Sequence, residues 1–208
     1  MTEQILDNPH FRPLEEQLIE CFGHVKGQQL LERIHSDLEH LLSEHRDDAP
    51  DLRSESHGYI LPSIAIYKVL KAQLGQSGAL SLFREIYFVA AYQAAASIGK
   101  KAEDAAYRQQ FLQMMVESKE GIRAGFEYRT VEKTASAVEF HVLQCPYVAY
   151  CNLYECPELT PVFCECDDMF YGNIHPKIRW ERTKTIGRGH ELCNFRFRLS
   201  DDNEEGLS

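Results

Sequence analysis

With 208 residues the chain has room for one substantial domain, and folding at this size buries roughly 70% of the surface the unfolded chain exposes. Lys and Arg number 22 against 32 Asp and Glu, a formal charge of -10, which in the absence of a basic stripe argues against nucleic acid as a partner. The apolar fraction is 44% and the charged fraction 26%, and no run approaches the roughly 20 apolar residues of a bilayer span, so a disordered chain and a membrane-spanning one are both excluded.

The opening stretch MTEQILDNPHFRP is acidic and polar where a secretory leader would be basic and then apolar, which predicts a cytoplasmic protein. Seven cysteines, an odd number, read as thiols of a reducing compartment rather than as a disulfide framework. Six of them lie after residue 144, a clustering that composition alone does not explain.

From Leu14 to His45 the apolar residues Leu18, Phe22, Val25, Leu30, Ile34, Leu38 and Leu41 recur at three- to five-residue steps, which predicts a helix with candidate breaks at Gly23 and Gly27. The polar stretch DDAPDLRSESHGYILP then reads as a loop over 47–62, long enough to raise the question of a lid. Ser63 suits the N-cap of a helix through Leu74. Ser77 opens another, LSLFREIYFVAAYQAAASIG, apolar almost all round and therefore expected to be central and buried. A fourth, amphipathic helix runs from Ala102 to Ser118 with Tyr107, Phe111, Met114 and Met115.

After Gly121 the texture changes. FEYRTVEK and AVEFHVLQC are short, β-branched and aromatic, with Val138, Phe140 and Val142 sharing a face, and so predict strands. PYVAYCNLYECPELTPVFCECDDMFYG contains two helical segments, the second opening around Pro157 and Glu158. KIRWERTKTI and HELCNFRFRLS read as two more strands joined by the turn GRGH, and DDNEEGLS as a flexible acidic tail over 201–208. The expected fold is α+β: one domain over 1–200, with a helical layer (10–120) on a four-stranded antiparallel sheet and cysteine-rich site (121–200), two hairpins being linked by a helical crossover.

Residues able to carry chemistry concentrate in this last third. None of the cysteine spacings is the Cys-x-x-Cys of a structural zinc site, yet strand ends and the crossover can bring Cys145, Cys164 and Cys193 together. Cysteine is equally a small buried apolar filler, the expected role for Cys21, alone in its helix. His141 lies on the strand face opposite Phe140 and Val142, which allows either a site role or simple exposure. Asp167 and Asp168 follow Cys164 by three and four residues, so on a helix thiol and carboxylate are neighbours; a solvated acidic pair is the rival reading. Arg179 and Arg182 point to opposite strand faces. Arg182, beside Thr183 and Thr185, suits a bidentate clamp on a substrate carboxylate, unless it forms a cross-strand salt bridge with Glu191 or Glu139.

Taken together, CPY, PELTPVFCECDD and IRWERTKTIGRGHELCNF, over residues 138–197 with a weaker echo in IAIYKVLKAQLG, resemble the L-2-amino-thiazoline-4-carboxylic acid hydrolase family. The stretch from Gly189 to Cys193-Asn194-Phe195 is also similar to small-molecule-binding domains of the 4-vinyl reductase type, whose helical layer and four-stranded sheet agree with the α+β expectation. The first resemblance implies hydrolysis of a 2-aminothiazoline ring to an N-carbamoyl amino acid and implicates Cys145, Glu158, Cys164, Asp167, Arg182, Thr185, Gly189 and Cys193. Cys164, Asp167 and Glu158 are then the catalytic candidates, and Arg182 and Thr185, joined by His141 from the strand reading, the candidate contacts for a small-molecule carboxylate substrate. Cys145, Cys164 and Cys193 are the ligand set if a divalent metal such as zinc takes part; covalent and metal-assisted routes both stay open. Asn194 departs from the family pattern, which more often has Asp there. The alternative is a non-catalytic sensor domain holding a small molecule or metal. Homo-oligomerisation is left open.

Overall fold

The computed structural model describes residues 3–200, so the tail expected over 201–208 lies outside the described residues. Chain contacts divide it into two compact units, residues 1–91 with 146–163, and 92–145 with 164 onward.

The first unit is helical. Helix α1 (Glu3–Asp7) and a 3-10 turn capped by Asn8 lead into α2 (Leu14–Phe22) and α3 (His24–Glu44). Gly23, at φ 78, separates α2 from α3 and resets the apolar phase, so Leu30, Leu31, Ile34, Leu38 and Leu41 are buried while Val25 is 72% exposed. Gly27 does not break α3. A Cβ there would stand 3.0 Å from the Ile19 backbone, and the bare glycine lets α2 and α3 cross closely. Cys21, expected as buried filler, is exposed on the last turn of α2.

The loop expected over 47–62 is instead mostly helical. It forms α4 (Pro50–Glu55), a π-helical turn (Ser56–Ile60) and the start of α5 (Leu61–Ala102). Pro50 sits in the first turn of α4, where its missing N–H costs nothing. Pro62 cannot donate to the carbonyl of Gly58, four residues back, and the Asn8 side-chain amide donates there instead at 2.7 Å. Ser63, expected as an N-cap, lies fully buried inside the resulting helix. Non-helical backbone at Gly75 (φ 70, ψ 176) kinks α5 between the two helices the sequence separates. Beyond the kink Leu82, Phe83, Ile86 and Tyr87 are buried but Tyr92 is 55% exposed, so that segment is two-faced rather than buried all round. Phe83 and Tyr87 stack at 5.3 Å, and Phe163 meets Tyr87 edge-on at 5.6 Å. The unit is completed by α7 (Pro146–Leu153), a 3-10 turn at Pro157–Leu159 and the beginning of α8 (Thr160–Gly172).

The second unit takes the rest of α5 and α8, the helix α6 (Ala105–Ser118), and the sheet. The Asp104 side chain accepts the Ala106 N–H at 2.8 Å and so caps α6. Among the described residues five strands, one more than expected, run in the order β1-β2-β3-β5-β4, all neighbours antiparallel: β1 (Gly121–Arg123), β2 (Phe126–Lys133), β3 (Ala137–Gln144), β4 (Ile178–Glu181) and β5 (Cys193–Leu199). The added strand, β1, is three residues long, too short to show an alternation of its own. Register places Phe140 opposite Phe195 and Val138 opposite Phe197. These residues, with Val142, pack against Phe111, Leu112 and Met115 of α6. Among the described residues no helix is long and apolar enough to cross a membrane.

Candidate functional site

In the second unit the chemistry gathers where β4 ends. Past Glu181 the chain turns through a 3-10 segment (Ile186–Arg188) before entering β5. Asn194 pins this connection, its side-chain oxygen accepting the backbone N–H of Thr183 (3.0 Å) and Lys184 (2.6 Å) and its amide donating to the Thr183 hydroxyl (3.0 Å). The departure from Asp at this position therefore meets a hydrogen-bonding need that carries no charge.

Arg182 leads the connection, and its side chain is only 1% exposed. Nε and Nη2 donate to Asp168 Oδ1 (3.0 and 2.7 Å), Nη1 to Asp167 Oδ2 (3.0 Å), and Nη2 also to the Cys164 carbonyl (2.5 Å). The guanidinium lies over the Phe195 ring at 4.9 Å and the Trp180 ring at 5.4 Å. Arg188 adds a contact of 3.2 Å to the other oxygen of Asp168. The partners of Arg182 are thus the two aspartates of α8, neither Glu191 nor Glu139, and its planar fork ties the β4–β5 connection to that helix.

Around this hub burial sets the proton affinities. Loss of hydration pushes Asp167 above the usual carboxylate range against the pull of Arg182, although 45% of its side chain still meets solvent. Desolvation likewise raises the Cys164 thiol to about 11, the Arg182 charge opposing, and raises Cys193 as well. Both are neutral thiols near pH 7. The Thr185 hydroxyl, 2% exposed, lies beside Cys164, where it favours the thiolate slightly without reaching good hydrogen-bond geometry. Cys193 accepts the Ile186 N–H at 3.2 Å, and Cys145 packs against the edge of this unit's core. Among the described residues no three His, Cys, Asp or Glu side chains are gathered as metal ligands are, so Cys145, Cys164 and Cys193 do not form an assembled metal centre. No disulfide joins any of the seven cysteines. His141 is half-buried on the sheet face away from the core, Nε2 against Glu139 at 3.3 Å and Nδ1 buried without a partner.

Glu158 belongs to the first unit. It receives the Tyr67 hydroxyl (2.6 Å) and Lys71 Nζ (2.5 Å), and although burial opposes ionisation these bonds hold its carboxyl below the usual range. Desolvation and the same bond push the Tyr67 phenol up. Close by, Cys151 hydrogen-bonds to Cys156 and lowers its thiol pKa, with Lys68 and Lys71 helping against desolvation.

A second polar group in this unit has no counterpart in the sequence reading. Asp48 accepts from Tyr150 and from Ser56 (3.1 Å) and faces His45 Nδ1 (3.2 Å), while His45 Nε2 meets the Tyr154 hydroxyl (2.7 Å), which reaches Glu44 (3.0 Å). Burial would raise Asp48, but its hydrogen bonds, that from Tyr150 first, hold it below the usual range. Desolvation and Asp48 together push Tyr150 up to about 12. The row Asp48, His45, Tyr154, Glu44 needs one hydrogen per link, and a neutral imidazole with a phenol supplies one too few, so the row closes fully only while His45 carries both ring protons. His45 ends the first expected helix and Asp48 falls in the expected loop, and their tyrosine partners lie about a hundred residues on, so no local spacing exposes them.

Residues 53–197 match the sequence profile of the L-2-amino-thiazoline-4-carboxylic acid hydrolase family. Searches of curated proteins and of solved structures yield no match. The likeness to 4-vinyl reductase domains thus rests on the stretch from Gly189 to Phe195 alone.

Proposed function

The chain belongs to the L-2-amino-thiazoline-4-carboxylic acid hydrolase family, and from that premise we propose that it opens a small cyclic amidine of the 2-aminothiazoline-4-carboxylate type to an N-carbamoyl amino acid. The observation that carries this reading is the extent of the match, which takes in Glu158, the Cys164–Asp168 turn and the Arg182 connection together. Water adds to the amidine carbon between ring sulfur and nitrogens, the carbon–sulfur bond breaks, and one proton reaches the ring nitrogen while the other ends on the sulfur. The reaction needs a group that can take and return a proton near neutral pH.

Asp167 is our candidate for that group: its carboxyl is raised, part of it meets solvent, and Arg182 fixes one oxygen. Arg182, with its donors on two aspartates and a carbonyl, is assigned a positioning role in place of a clamp on the substrate. Glu158, held ionised in the first unit by Lys71 and Tyr67, is poorly suited to proton transfer. Cys164, neutral and buried, gives little support to a thiolate nucleophile, and that one observation favours the second reading, a binding domain without turnover.

Thiol release from 2-aminothiazoline-4-carboxylate, with other cyclic amidines, lactams and N-carbamoyl amino acids as a panel, tests both readings. Turnover is expected to fall by about a hundredfold or more in Asp167→Asn and to persist in Cys164→Ala. Stoichiometric binding with no turnover of any panel member would establish the sensor reading instead.

A further inference from the structure

A half-open cavity of about 620 Å³ lies in the first unit, walled by Ile5, Phe11, Leu38 and Leu42 on its apolar side. Its polar side is made by His35 and Glu39 of α3, one helical turn apart, and by His57 and Asn8. Both ring nitrogens of His35 are buried with no hydrogen-bond partner among the described residues, a double vacancy on one side chain where buried polar atoms are nearly always paired.

The free valences in this wall can be counted. Asn8 gives one amide hydrogen to the Gly58 carbonyl and accepts the His10 N–H at its oxygen, and so keeps one donor and one acceptor. His57 Nε2 faces the His45 carbonyl at 3.0 Å, so it carries the hydrogen and a neutral ring leaves Nδ1 as a bare acceptor. Desolvation lowers the pKa of His35, which keeps that ring neutral, with one donor and one acceptor. Glu39 contributes a carboxylate that has no ion-pair partner among the described residues. The wall therefore offers four accepting groups to two donors, one of the acceptors being anionic, in a chain of net charge -10. An anion would meet the Glu39 carboxylate, whereas a cation that brings its own N–H groups meets more acceptors than donors along the polar side.

We propose that this cavity binds a small organic cation, an amine or amidinium on an apolar body, whose N–H groups donate to Glu39, to His57 Nδ1 and to the accepting nitrogen of His35. Most of the wall precedes residue 53, where the family match begins, so the site does not rest on the hydrolase reading.

Benzamidine, neutral benzamide and anionic benzoate, close in shape, separate charge from size. Each is titrated into the full-length protein while the imidazole resonances are followed by NMR. Benzamidine is expected to shift the His35 and His57 signals saturably, with the other two at least tenfold weaker, about 1.4 kcal/mol. Glu39→Gln, at an exposed position, should weaken benzamidine by a similar factor, and His35→Phe, which places a ring without polar atoms in the wall, should abolish binding. Equal affinity for all three probes, preference for benzoate, no saturation by about 10 mM benzamidine, or unchanged affinity in Glu39→Gln would each overturn the proposal. The last of these keeps it testable should His35→Phe fail to fold.

Discussion

At Asp167 two forces of opposite sign act on one carboxyl. The buried helix face resists charge and the Arg182 guanidinium invites it, and burial wins, so the folded protein holds the Asp167 proton more tightly than the unfolded chain does. A raised acid contributes its full stabilisation at low pH and loses it as pH climbs through the folded value. Asp48 and Glu158, held below the usual range, are full above it and lose their contribution as pH falls. Replacing Asp167 with Asn removes only the first trend. Between pH of about 4 and about 7, urea midpoints of Asp167→Asn are therefore expected to improve relative to wild type as pH rises. A relative loss over that interval would mean that the guanidinium outweighs burial.

At the scale of the element, Asn8 shows how one side chain permits a helix to run through a proline. Pro62 deprives the Gly58 carbonyl of the donor four residues on, and the Asn8 amide supplies one. Asn8→Ala is expected to cost about 0.5–1.5 kcal/mol, the net worth of a hydrogen bond to a half-buried acceptor, measured as a shift in urea midpoint; an unchanged midpoint would mean that water already serves that carbonyl. The same contact explains why the sequence misleads here. Two prolines amid Asp, Ser and Gly predict a loop by local rules, and the residue that rescues the helix lies fifty positions away. Elsewhere local signals suffice: Gly23 divides α2 from α3, Gly75 marks the kink between two expected helices, and Val138, Phe140 and Val142 share the buried face that alternation predicts. The candidate site was legible in part. Cys164 and Asp167 do sit one turn apart on α8 and Arg182 does approach them, but the pairing of Arg182 with Asp167 and Asp168 depends on a helix and a strand end meeting in space, which spacing along the chain does not encode.

At the scale of the whole molecule the chain passes between its two units three times, so neither unit is one continuous stretch. Residues 146–163 return to the first unit with Tyr150 for Asp48, Tyr154 for His45, Glu158 for Tyr67 and Lys71, and Phe163 for the stacked rings of Phe83 and Tyr87. A fragment ending at Ala91 is accordingly expected to show helical circular dichroism without a cooperative urea transition, because these partners are missing together; a sharp transition at the full-length midpoint would contradict this. The same threading governs synthesis. As the polypeptide leaves the ribosome its leading helices must wait, sticky faces unquenched, through the translation of an entire helix and hairpin before the strand of sequence that finishes them emerges. Until then the nascent protein is a natural client for chaperones that shield greasy surface.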